Sequence, residues 1–73
     1  MNDEQTPPRT ATERRQRLLD RMRRDGGTWD WRRARETYDP RPDPRTVRRD
    51  LQLLYREGQL VRVEHGEFEA VAL

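Results

Sequence analysis

Three prolines in five residues, Pro40, Pro42 and Pro44, divide this chain more firmly than any other feature. Each fixes its own φ, lacks an amide proton and pushes the preceding residue out of the helical region, so "DPRPDP" cannot lie inside a helix. The run is a turn between two separate helices. A chain of 73 residues with 30% hydrophobic and 41% charged residues is one domain at most. It sits near the composition of disordered chains and folds only if its few apolar residues are well placed.

Downstream of the turn they are. Asp43 is an N-cap, Pro44 takes the first helical position, where a missing N–H costs nothing, and Gly58 ends the helix. On a wheel of about 100° per residue with Val47 at the origin, Leu51, Leu54 and Tyr55 fall within about 80° of it and form a buried stripe. Arg48, Gln52, Arg45, Arg56 and Arg49 span about 100° to 200°, a face without an acid. Asp50 and Glu57 lie to one side, flanking Leu53.

Upstream, Asp30 caps a short helix from roughly Trp31 to Tyr38, with Trp31, Ala34 and Tyr38 on its inner face and Trp29 stapled to Ala34. Thr10 and Glu13 have capping-box spacing and open a first helix that runs to about Arg24. Ala11, Leu18, Leu19 and Met22 share one side of it, and Gly26-Gly27 stops it. Its outer arginines, Arg14, Arg17, Arg21 and Arg24, stand among Glu13, Asp20 and Asp25 and read as surface pairs. Residues 1–9, polar and with adjacent prolines, read as a disordered tail before a domain over 10–73.

After Gly58 the apolar period becomes two. "QLVRVEHGEFEAVAL" predicts a hairpin turning at His65-Gly66, pairing Val63 with Phe68, Val61 with Ala70 and Arg62 with Glu69. Val61, Val63, Phe68 and Ala70 would then face the helices. The expected fold class is α+β, mainly α: three helices followed by a two-stranded wing, the layout of a winged helix-turn-helix domain.

Within that layout "RTVRRDLQLLYREGQLVR" resembles the recognition helix and first wing strand of DeoR-type and related bacterial winged-helix regulators. The resemblance covers residues 12–72 and is most specific over Arg45 to Gly58 and Leu60. It implies a third helix in the DNA major groove, with Arg45, Thr46, Arg48 and Arg49 at the positions of DNA contacts. The turn is longer and richer in proline than is usual for the family.

Charge and chemistry point the same way without the family. All sixteen basic residues are arginine, and residues 10–58 carry fourteen of them against nine acids, whereas 59–73 hold one against three glutamates. A guanidinium bonds guanine or phosphate through two donors at once. Arg45, Arg48 and Arg49, then Gln52, are the expected base readers, with Arg56 nearer the backbone; Arg32, Arg33, Arg35 and Arg41 are candidate phosphate contacts. The plainer alternative is a solvated arginine face. Glu64 and Glu67 flank the wing tip, so the wing is expected to stay off the phosphates.

The partner expected is double-stranded DNA, bound by a homodimer or a cooperative assembly whose contacts involve the first helix or "AVAL". A minimal transcriptional regulator is the leading reading; the alternatives are an excisionase-like architectural factor and a protein-binding winged-helix module. There is no cysteine, phosphate loop, nucleophile with a base, or ligand cluster, so no enzyme activity, cofactor, metal or small-molecule ligand is expected. No apolar run approaches a membrane span or signal peptide, so the expected location is the cytoplasm, at the nucleoid.

Overall fold

The computed structural model describes residues 9–71. The expected tail over residues 1–9 therefore lies, Arg9 apart, outside the described residues, as do Ala72 and Leu73. Three helices, α1 (Ala11–Asp25), α2 (Trp31–Arg35) and α3 (Pro44–Arg56), precede an antiparallel hairpin of β1 (Leu60–Glu64) and β2 (Glu67–Ala70). This is the mainly helical α+β layout of a winged helix.

The caps show why the helices begin where they do. Thr10 Oγ1 accepts from the Glu13 amide at 3.0 Å, Asp30 from Arg33, and Asp43 from Arg45 at 2.8 Å. Each supplies an acceptor to an amide that the first turn leaves unpaired. After α3 the chain turns through Gly58 at φ 79°, a conformation that side-chain-bearing residues avoid. Helix α2 is shorter than its apolar pattern suggests. Thr37 and Tyr38 donate to Ala34 and Arg35, each three residues back, and the Thr37 hydroxyl takes the Ala34 carbonyl at 2.7 Å, so a turn replaces the last helical residues.

Leu18, Leu19 and Met22 of α1, Ala34 of α2, and Val47, Leu51 and Leu54 of α3 form the core with Trp29, Leu60 and Phe68. Ala11, expected on the inner side of α1, is exposed; the buried residues of that helix are Leu18, Leu19 and Met22. Trp29 does more than staple α2. It exchanges two backbone hydrogen bonds with Phe68, at 2.7 and 2.9 Å, and so ties the entrance of α2 to the outer side of β2. Its indole N–H closes the loop by donating to the Gly26 carbonyl at 2.9 Å.

The wing differs from its expected register. At the tip Glu64 faces Glu67 around His65-Gly66, as the turn chemistry predicts, with Gly66 at φ 78°. A bulge between Arg62 and Glu64 then shifts the remaining pairs by one, to Arg62 with Phe68, Val61 with Glu69 and Leu60 with Ala70. A shift of one residue exchanges the two faces of a strand. Leu60 is therefore buried, while Val61 and Val63 are 49% and 43% exposed. The cause is Leu60: it seals the core beneath α3, and only the bulge reconciles that anchor with the tip. Val61→Thr and Val63→Thr should accordingly change stability by less than about 0.5 kcal/mol each. Chemical denaturation that gave a cost of several times that for either one would contradict the observed register.

Candidate nucleic-acid interface

Helix α3 carries most of the candidate residues. Its buried stripe fixes its rotation, so that Arg45, Arg48, Arg49, Gln52 and Arg56 all emerge on the opposite, exposed face. Thr46 is half-buried on the flank of that face. The only acid within the helix, Asp50, is 0% exposed and contributes nothing to the surface. Arg45, with 89% of its side chain exposed, stands 3.8 Å from Asp43, whose carboxylate already caps the helix. Arg49 and Arg56 form no ion pair or side-chain hydrogen bond with the described residues.

Asp50 is held from three sides. Arg14 of α1 makes a two-pronged contact, Nε to Oδ2 at 2.7 Å and Nη2 to Oδ1 at 2.8 Å, and the Tyr38 hydroxyl donates to Oδ2 at 2.8 Å. Arg15 adds a longer contact of 3.8 Å. The hydrogen bond to Asp50 holds the Arg14 guanidinium above the ordinary arginine range. Burial, reinforced by the same carboxylate, pushes the Tyr38 hydroxyl up. These contacts orient α1 and the segment after α2 against α3, and so set the angle at which the arginine face is presented.

Arg14 is thus not one of the surface pairs expected on α1. Those pairs do form elsewhere: Arg17 with Glu13, Arg21 with Asp25 at 2.6 Å, and Arg24 with Asp25. The hydrogen bond from Arg21 lowers the Asp25 carboxyl below its ordinary range. With those charges locally neutralised, most arginines that form no ion pair among the described residues lie on α2, the turn and α3, with Arg23 of α1 and Arg62 of the wing among the exceptions.

The expected phosphate contacts separate into two groups. Arg33 lies 3.8 Å above the Trp29 ring and donates to the Thr28 carbonyl at 2.9 Å, covering the core tryptophan. Arg35 is half-buried and its Nε donates to the Pro42 carbonyl at 2.7 Å, which fixes the proline turn. Both have internal work that the sequence pattern does not reveal. Arg32, on α2 near Trp31, and Arg41, in the turn, are exposed and form no ion pair with the described residues. Arg62 of the wing lies 5.6 Å from the centre of the Tyr55 ring instead of pairing with Glu69.

No group of three or more histidine, aspartate or glutamate side chains among the described residues is placed to hold a metal ion. No helix among them is long and apolar enough to cross a membrane. No family model, curated protein or solved structure matches the chain.

Proposed function

We propose that this chain is a sequence-specific double-stranded DNA-binding protein, a small transcriptional regulator that places α3 in the major groove. The observation that supports the reading best is the acid-free face of α3, with the helix's only carboxylate withdrawn into the interior. A solvated helix surface has no need of that arrangement, since surface acids among arginines improve helix stability through local pairs. Phosphate binding does need it, because an acid in the contact zone repels the backbone. Arg45 and Arg49, near the N-terminal half of α3, read base edges, with Gln52 behind them; Arg41 and Arg56 lie toward the backbone. The resemblance to DeoR-type regulators implies the same orientation.

A single small domain covers few base pairs, so tight binding needs a second copy on a neighbouring half-site. Titration of an arbitrary duplex over a salt series tests the electrostatic part of the proposal. The expected result is a log–log plot that falls linearly with a slope set by several phosphate contacts. Binding that does not weaken with salt would contradict the phosphate contacts, and no binding at moderate salt would favour a protein-binding module instead.

The acidic tip has its own test. Glu64 and Glu67 face each other, exposed, at the end of the wing. Replacing both by glutamine should leave single-site DNA affinity unchanged, or raise it a few-fold at low ionic strength. If these acids instead meet a basic surface on a neighbouring copy, the double variant binds one site normally and loses cooperativity on a two-site fragment. A fall in single-site affinity would mean that the wing contacts DNA through its acids.

A further inference from the structure

The arginines of the interface do not all stand alone. Arg48 leans toward α2, with its guanidinium carbon 4.9 Å from the centre of the Trp31 ring. Arg32 approaches the same ring to 5.1 Å. Trp31 is half-buried and packed against the core, so the indole is a fixed platform that cations from two helices approach, their guanidinium carbons no more than about 10 Å apart. Neither arginine forms an ion pair with the described residues.

Two like charges drawn onto one ring repel each other, and no carboxylate is supplied to offset the repulsion. An anion bound by both would do so. The attraction of each guanidinium to the indole is modest, but it restricts two long side chains that otherwise lose much rotamer freedom on binding. The ligand is then met by donors already in place. A guanidinium offers two parallel N–H donors to the oxygens of a tetrahedral phosphate, and two such groups can hold one phosphate from both sides.

We propose that Arg32 and Arg48, positioned by Trp31, form a clamp for one backbone phosphate of duplex DNA at the junction of α2 and α3. The proposal rests on the DNA-binding reading and refines it. Arg48, which sequence alone groups with the base readers, becomes a backbone contact, and Trp31 becomes a positioning residue for it. Base reading is left to Arg45, Arg49 and Gln52.

The test uses the full chain and a bound duplex in which single phosphates are replaced, one at a time, by neutral methylphosphonates. At one linkage the replacement should weaken wild-type binding at least about tenfold, the effect of losing hydrogen bonds to a charged group. Arg48→Ala and Arg32→Ala should be insensitive to that same replacement. Each should also weaken binding to all sequences alike and lower the salt slope by about one unit. Trp31→Leu should reduce the sensitivity and Trp31→Phe should keep it, because a phenyl ring still holds a cation. Should Trp31→Leu fail to fold by circular dichroism, the two arginine variants and Trp31→Phe decide the matter. If wild type binds duplex but no linkage is shared by Arg32 and Arg48, or if Arg48→Ala relaxes preference at one base pair with an unchanged salt slope, the clamp is wrong while the DNA reading stands. Wild type that binds no duplex removes both.

Discussion

Asp50→Ala should cost about 3–5 kcal/mol, because it leaves the Arg14 guanidinium partly buried without its carboxylate and the Tyr38 hydroxyl without its acceptor. For a domain whose whole stability is expected to lie near the low end of about 5–15 kcal/mol, that is most of it. Tm should fall by more than about 12 °C, at the sensitivity expected of a domain this small. The loss comes from an uncompensated charge, and the charge pair itself need not add net stability. Replacing both partners, as in Arg14→Met with Asp50→Leu, should therefore recover a large part of it. Thermal melts of the single and double variants measure the difference. An Asp50→Ala variant melting within a few degrees of wild type would show that α1 and α3 do not depend on this contact.

That network was only partly legible in the sequence. At about 300° on the helix wheel, Asp50 stands 60° or so from Val47, against about 80° for Tyr55 on the other side. An acid at such a position is the signal of a buried carboxylate, but its partner, thirty-six residues earlier, cannot be found by periodicity. Locally encoded features were readable: the caps at Thr10, Asp30 and Asp43, the proline turn, the end of α3 at Gly58, and the hairpin tip. Those depend on a few neighbouring residues and on backbone chemistry. The bulge between Arg62 and Glu64 arises from a conflict between two anchors, the tip and Leu60, and appears only when both are placed in three dimensions. The same holds for the interface. Its exposed face was evident from spacing, whereas the engagement of Arg33 with Trp29, Arg35 with Pro42, and Arg32 and Arg48 with Trp31 is tertiary.

Arg49→Ala and Arg45→Ala should each weaken specific binding by roughly 1–3 kcal/mol and relax the base preference at separate positions of the site. Both residues are exposed on α3, and neither packs on an aromatic ring or the core, so their removal should leave the fold intact. Arg49 lacks any ion-pair partner among the described residues, and its loss should be the cleaner of the two. Arg45 must give up its long contact with Asp43 on binding, which reduces its net effect. Competition assays against single-base variants of the preferred duplex, with circular dichroism as the folding control, measure both. If the folded variants keep full affinity and unaltered preference, α3 is not the reading element.

Selection of bound sequences from random duplex DNA, followed by competition of the enriched duplex against a scrambled one at moderate salt, tests the central proposal most directly. The prediction is a single enriched motif, bound at least about 10³-fold more tightly than the scrambled duplex. Retention of duplexes without an enriched motif, at an affinity governed by salt alone, would contradict sequence-specific recognition and indicate an architectural factor. No retained duplex at all would contradict DNA binding itself.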